Sequence, residues 1–456
     1  MILVFDIGKT NKKCLVFDAH YRVVFEETTH LPEIADEDGD PCEDLALLSG
    51  WLLETCSKVL QDERFEIQAV NCTAYGASFV HLDAESRPLT PLYNYLKPFP
   101  ENLHGQFFEK YGPEEKMALE TASPVLGSLN SGLQLYRLKY ERPEVFRKIK
   151  WSLHLPQYLA FLLESALKCG VGLNSSHTDT TLEPGATPAS EITSIGCHTM
   201  LWDFQKNGYH EWVKAEGLEE KFPALLQPSD LPVPEMSPAR TSQMTPRGIH
   251  HSSFIVHHSG IGLHDSSAAL IPYLAGFREP FVLLSTGTWC ISMNPFNREP
   301  LTVSELQQDC LCYLTFEGKP VKAARYFGGN EHENAVQQLA KQHDVSPDFH
   351  KNARLEPASP AETDYLQFMR QLVKKQAVST RLAIGNTAVR QIFVDGGFSK
   401  NEIFMRLLAA EFPEMEVFAA EVAQATALGA ALALHDCWNE QPVPQHLISL
   451  KQYGNP

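Results

Sequence analysis

The sequence predicts two α/β domains of similar size, and three observations carry that expectation. Two short apolar runs, residues 2–5 and 14–17, precede apolar positions that recur at helical spacing, and strand pairs followed by helices point to α/β architecture. A second pair of runs, 281–284 and 290–293, is followed further on by an apolar run at 392–394, turn glycines and another helical pattern. Between the halves, Pro223, Pro228, Pro232, Pro234, Pro238 and Pro246 punctuate a segment of little periodicity. That segment places a domain boundary near residue 247, giving units 1–246 and 247–456.

Taken in order, residues 2–5 and 14–17 read as a hairpin with a polar tip at 8–13. Residues 33–44 carry seven acidic side chains (Glu33, Asp36, Glu37, Asp38, Asp40, Glu43 and Asp44) and read as a solvated loop, because such a run does not pack. Leu48, Trp51, Leu52, Cys56, Val59 and Leu60 predict an amphipathic helix. Residues 253–257, 281–284 and 392–394 read as strands, and 428–434 as a buried helix. No repeat of 20 to 50 residues is visible, which argues against a solenoid.

Composition narrows the function classes. A chain of 456 residues with 43% hydrophobic and 21% charged residues is long enough for substantial cores, and neither disorder nor a small disulfide scaffold fits. The net charge is −18, from 38 Lys and Arg against 56 Asp and Glu. Such a field repels nucleic acid and anionic membranes, so an anionic ligand has to be held by local groups. The ten cysteines lack C-x-x-C spacing and suit a reducing compartment. Asp6 cuts the first apolar run short, no basic n-region precedes it, and the stretch 427–434 is far below the roughly 20 residues that cross a bilayer. A soluble, cytoplasmic protein is the expectation.

Common phosphate motifs fail. Gly8-Lys9-Thr10 resembles the end of a P-loop, but the first glycine of G-x-x-x-x-G-K-[ST] would fall at Leu3. Gly260-Ile261-Gly262 lacks the third glycine of a dinucleotide fingerprint. Two matched polar tips stand instead, one near the start of each half: Asp6-Ile7-Gly8-Lys9-Thr10-Asn11-Lys12-Lys13 and Ser285-Thr286-Gly287-Thr288-Trp289. Small residues let backbone N–H groups approach a phosphate, hydroxyls add donors, and Lys9 or Lys13 supplies charge. Either tip alone is also an ordinary hairpin turn.

A third element is Asp395-Gly396-Gly397, a tight turn before Ser399 and Glu402, whose S-x-x-E spacing reads as a capping box. A glycine turn at a helix start admits a flat or anionic ligand, or is simply close packing. Asp265 opens a small-residue segment after Gly260-Ile261-Gly262-Leu263-His264. It serves either as a helix N-cap or as a base that accepts a hydroxyl proton during phosphoryl transfer.

In order and spacing, these segments resemble the FGGY family of carbohydrate kinases, within the two-domain actin-like, ribonuclease-H-like ATPase superfamily. His264-Asp265-Ser266 and Ser285-Thr286-Gly287-Thr288-Trp289 are most similar to the rhamnulokinase branch, with fuculokinases nearby. The closing match is Asp395-Gly396-Gly397-Phe398-Ser399-Lys400-Asn401 followed by Gln424-Ala425-Thr426-Ala427-Leu428-Gly429. The resemblance implies an ATP- and Mg²⁺-dependent kinase with its active site in the interdomain cleft. It implies that Asp265 is the base and that His264 touches the sugar, beside a loop containing Thr73, Tyr75 and Gly76. Lys9, Thr10, Asn11, Lys13, Gly287 and Thr288 would hold phosphates, Asp6 would help position Mg²⁺, and Gly396, Gly397 and Asn401 would border the adenine.

Three departures separate this chain from the family pattern. Tyr93-Asn94-Tyr95-Leu96-Lys97-Pro98 stands where many relatives carry an aromatic-x-Asp-x-Arg sugar motif, Ser78 replaces an expected Asp, and residues 327–333 are unlike the usual glycine-rich stretch. The implied substrate is a ketose of the L-rhamnulose or L-fuculose type, with a ketopentose or polyol of the xylulose, ribulose or glycerol type as the alternative. The expected assembly allows a homodimer. Two other readings compete. His250, His251, His257, His258 and His264 crowd into 15 residues, but without the spacing of a metal site, and read as strand histidines with His264 functional. A non-catalytic nucleotide-binding regulator on the same fold is the other.

Overall fold

The computed structural model describes residues 1–169, 186–226, 256–422 and 424–454. The expected boundary near 247, five of the six prolines that suggested it, and His250 and His251 lie outside the described residues.

The strand Ile2–Ile7 pairs antiparallel with Lys12–Phe17 and parallel with Ala69–Ala74. Val23–Thr29 extends one edge. On the other, His258–Ser259 and Leu263–His264 both pair parallel with Ala69–Ala74, so chain beyond residue 247 completes the first sheet. Of the expected strand at 253–257, only residues 256 and 257 are described, and they precede that pairing.

The second sheet repeats this core. Phe281–Thr286 pairs antiparallel with Cys290–Asn294 and parallel with Gln391–Gly396. Pro320–Tyr326 and Cys310–Leu314 extend one side, and Glu416–Glu421 and Ser449–Tyr453 the other. In both first strands five of six residues are buried and the fifth position is half-buried. That position is Asp6 in one sheet and Ser285 in the other.

Strand alternation explains where these two residues face. Leu3, Phe5 and Ile7 pack with the helices Leu45–Leu60 and Leu155–Cys169, whereas Ile2 and Val4 pack with Ala425–Leu432 from the other half of the chain. Period two therefore turns Asp6 towards the junction of the halves. In the second sheet Val282 and Leu284 join the core of Pro360–Ile384 and Glu402–Glu411, while Phe281 and Leu283 meet Leu270 and Tyr273 of Asp265–Gly276. Ser285 accordingly faces the junction too. There Asp265–Gly276 and Ala425–Leu432 lie so close that a Cβ at Gly429 would collide with the Ala268 carbonyl, which requires glycine.

Two expectations are corrected. The acidic run is a hairpin, Glu33–Ala35 with Pro41–Glu43, rather than a loop, and it is solvated only in part. Asp36 and Glu43 are 7% and 6% exposed, because cations come to them: Lys97 meets Asp36, and Lys12 meets Glu43 at 3.0 Å. Buried carboxylates persist when paired in this way. Ser399 does not cap the following helix. It donates to the Gly396 carbonyl at 2.8 Å within the turn Gly397–Lys400, and Asn401 caps instead, its Oδ1 accepting the Phe404 N–H at 3.0 Å.

The predicted amphipathic helix is Leu45–Leu60, capped by Asp44. The cysteines of the described residues are free thiols, nearly all buried. Among the described residues no helix is long and apolar enough to cross a membrane.

Candidate active site

Asp265 is the first residue of Asp265–Gly276, with His264 rather than Asp265 in the cap position. Its Oδ1 accepts from the Ser266 N–H at 2.6 Å and the Ser266 hydroxyl at 3.2 Å, and faces His264 Nε2 at 3.3 Å. The side chain is 35% exposed, so the carboxylate is aimed by its own helix start and still open to a ligand.

His264 is buried, and its backbone N–H is held by the Thr193 hydroxyl at 3.0 Å. Burial lowers its pKa, against the opposing pull of Asp265. A neutral imidazole is the consequence. Gly76 follows Ala69–Ala74 and lies against this ring, beside Tyr75, which is itself buried. Thr73 stands between Asp6 and Leu263 in the strand register, and its hydroxyl is buried without a partner.

Asp6 lies in the field of Asp265. Burial, and after it the Asp265 charge, push Asp6 up to about 7, while Lys13 pulls the other way. Two carboxylates that oppose each other at one junction are a fitting oxygen set for a hard divalent cation. Among the described residues no group of three or more His, Cys, Asp or Glu could hold a metal by itself. His257 and His258 form no metal cluster, and the histidine-site reading has no support among the described residues.

The lysine-rich first tip needs correction. Alternation sends Lys12 and Lys13 to opposite faces of the sheet. Lys12 is 1% exposed, and its ammonium donates to the Gly8 and Lys9 carbonyls and to Glu43. Lys9 pairs with Glu33 at 2.7 Å and Glu43 at 3.7 Å, and lies over the Tyr75 ring. Lys13 alone turns to the junction, donating to Gln424 at 2.7 Å. Thr10 and Asn11 are exposed at the turn, which the Gly8 N–H closes onto the Asn11 carbonyl.

The second tip opens onto a cavity of 740 Å³. Gly287, Thr288, Gly397, Asn401, His332, His350 and Lys351 are among its lining residues, and His332 shares the Tyr365 hydroxyl with Asn401. Gly396 precedes Gly397 at φ +86°, in the left-handed region that favours glycine. Asn401 Nδ2 also donates to the Tyr365 hydroxyl, so the capping residue is fixed at both ends of its amide. The structure thus groups Gly287, Thr288, Gly397 and Asn401 at this cavity, with Gly396 just before it in the chain, and Asp6, Thr73, Tyr75, Gly76, His264 and Asp265 at the junction.

Residues 1–182 match the N-terminal domain of the FGGY family of carbohydrate kinases, and residues 278–358 and 360–435 match its C-terminal domain. The chain belongs to the FGGY family of carbohydrate kinases. Its fold is the two-domain actin-like α/β fold of FGGY kinases. A carbohydrate kinase from Novosphingobium aromaticivorans superposes with a TM-score of 0.74 at 23% identity, covering 99% of this chain and 94% of that one. A ligand-bound xylulose kinase from Lactobacillus acidophilus gives 0.76 at 16% identity, covering 100% and 94%. The rhamnulokinase of Halalkalibacterium halodurans is 24% identical over 292 residues, which are 63% of this chain and 55% of that protein. The match spans little more than half of that relative's length.

The departures of this FGGY chain acquire physical reasons. Ser78 is 1% exposed and donates to the Tyr93 carbonyl at 3.0 Å, a place where an Asp carboxylate would be repelled. Residues 327–333 do not belong with the sugar loops. They begin the helix Gly328–His343, with Gly329 packed on the Gly287 carbonyl and the Asn330 N–H on the Thr288 carbonyl at 3.2 Å. Sequence reasoning missed His198, whose ring lies 6.2 Å from that of His264, and Tyr313, 5.6 Å from it. It missed Arg325 as well, whose guanidinium covers Trp289 of the second tip. His198 stands at positive φ in a segment without periodicity, and Tyr313 and Arg325 sit in strands that look purely structural.

Proposed function

We propose that this FGGY protein is an ATP-dependent sugar kinase that transfers the γ-phosphoryl group of ATP to a hydroxyl of a ketose. The deoxyketohexose class of L-rhamnulose and L-fuculose is the first choice, and a ketopentose or polyol the second. The observation that carries the reading is Asp265: a carboxylate fixed at a helix start, beside a neutral His264 and in the field of Asp6 on the first strand.

The substrate hydroxyl gives its proton to the Asp265 carboxylate as its oxygen bonds to the γ-phosphorus, and the bond to the β–γ bridging oxygen breaks to release ADP. Most of the rate enhancement in such transfers is in-line positioning and neutralisation of the transferring group. Asp6 would hold Mg²⁺, whose bound ion supplies positive charge against the phosphate oxygens. Thr288 offers its hydroxyl to phosphate and Gly287 a backbone without a side chain, while Lys13 adds charge and Thr10 and Asn11 an exposed turn from the first tip. Gly396, Gly397 and Asn401 border the base, and His264 with the Thr73, Tyr75 and Gly76 loop holds the sugar. The chain acts in the cytoplasm and can form a homodimer.

The test is coupled ADP release from the purified protein across ketopentoses, deoxyketohexoses and polyols. Saturable release with one class identifies the acceptor. Background release with all of them removes the kinase reading and leaves a nucleotide-binding regulator.

A further inference from the structure

Lys97 is buried, with a side chain 3% exposed; against the burial that lowers its pKa, its bonds to Asp36, Asp40 and Asp38 hold the ammonium above its usual value. Its ammonium meets Asp36 at 2.5 Å, Asp40 at 2.8 Å and Asp38 at 2.9 Å, all from the acidic hairpin. That hairpin is braced from outside, with Arg137 on Asp38 at 2.9 Å, Arg142 on Glu37 at 2.6 Å and the Tyr93 hydroxyl on Glu37. A buried ammonium with three carboxylates has one position available to it.

The turn that carries Lys97 is equally tight. The Lys97 N–H donates to the Asn94 carbonyl at 3.0 Å, the Leu96 N–H to Asn94 Oδ1 at 2.9 Å, and Ser78 holds the Tyr93 carbonyl. Between these anchors Tyr95 is half-buried and meets the Tyr75 ring edge-on, with centroids 5.9 Å apart. Burial, and next the charge of Asp265, hold the Tyr95 phenol above its usual pKa. Tyr75 in turn precedes Gly76, on which His264 rests.

We propose that Lys97 is a positioning residue for the sugar site: clamped by Asp36, Asp38 and Asp40, it fixes the turn that sets Tyr95 against the buried Tyr75, and the Tyr95 ring receives the C–H face of a neutral sugar. The inference rests on the kinase reading for its ligand, and on the side-chain network alone for its positioning part. Aromatic rings offer large apolar area with little entropy to lose, and a ring held in place by a buried neighbour favours a substrate whose facing carbons carry hydrogens or a methyl group.

The experiment is a double-mutant cycle with Lys97→Met and Tyr95→Ala. Each single variant raises the sugar KM about tenfold while kcat and the ATP KM stay within about twofold, and the double variant is no worse than the poorer single one. Lys97→Arg restores the sugar KM. Losses that add, or an ATP KM that rises in step with the sugar KM, overturn the proposal. Where Lys97→Met does not fold, Asp40→Asn, at a carboxylate 35% exposed, moves the sugar KM in the same direction by about two- to threefold. Amide hydrogen exchange gives a readout independent of turnover. Residues 93–98 exchange faster in either clamp variant while residues 285–289 do not. Unchanged exchange at 93–98 overturns the positioning role, whereas wild-type protein that turns over no sugar overturns the kinase reading instead.

Discussion

The His264 ring occupies the space that a side chain at Gly76 would need. An ideal Cβ on Gly76 would stand 2.8 Å from His264 Cδ2 and 2.9 Å from Nε2. The glycine therefore lets the imidazole lie flat against the loop and keep Nε2 at 3.3 Å from Asp265. Gly76→Ala should push the ring away from the carboxylate. We expect a rise of about tenfold or more in sugar KM with nucleotide affinity unchanged, since misplacement by a fraction of an ångström is costly in a positioned site. Steady-state kinetics with each substrate varied decides it, and an unaltered sugar KM removes His264 from the sugar contacts.

Asp265→Asn keeps the shape of the side chain and loses the proton acceptor. ATP binding measured by calorimetry should stay near the wild-type value while turnover falls by at least about a hundredfold, the scale of general-base contributions. Turnover close to wild type would mean that another group takes the proton.

How much of this was legible in the sequence depended on the range of the forces involved. Both hairpins, the strand at 392–394 and the helix of Leu48 and Leu60 follow from local periodicity, and all four stand in the fold. The acidic run misled because its neutralising partner, Lys97, is far along the chain, and a local count of charges sees seven repelling carboxylates. Ser399 and Glu402 had cap spacing, but the double glycine of residues 396 and 397 carried the chain through a short turn first, moving the cap to Asn401. His198, Tyr313 and Arg325 join the site only through strand pairing and loop packing between distant segments, which no spacing announces.

Lys12 and Lys13 offer a paired test of strand alternation. Lys13→Ala should weaken ATP binding and spare the sugar site. Lys12→Met should leave ATP affinity nearly unchanged and destabilise the fold instead, because Glu43 stays buried without its main partner. The expected loss is about 3 kcal/mol, as for other buried pairs broken on one side. Calorimetric ATP titration beside urea unfolding separates the two effects. Equal losses of ATP affinity would place both ammonium groups at the phosphates and contradict the buried position of Lys12.

Glu191 links stability to pH. It is 1% exposed and caps the short helix Ile192–Ile195, accepting the Thr193 and Ser194 N–H groups at 2.9 and 3.2 Å and the Thr193 hydroxyl at 2.5 Å. Burial outweighs these bonds and raises its carboxyl from 4.5 to about 7. The folded chain then binds a proton more tightly than the unfolded chain, so the stabilisation is full below about pH 4.5 and is lost as pH rises through about 7. The decline is at most about 3 kcal/mol for a shift of this size. Asp6 is raised in the same sense, so the wild type is compared with Glu191→Gln, which keeps Asp6 and removes the Glu191 titration. Urea unfolding from about pH 5 to pH 8 should fall more steeply for the wild type than for the variant. Parallel curves would show that Glu191 is already ionised in the folded protein at the acid end of the range.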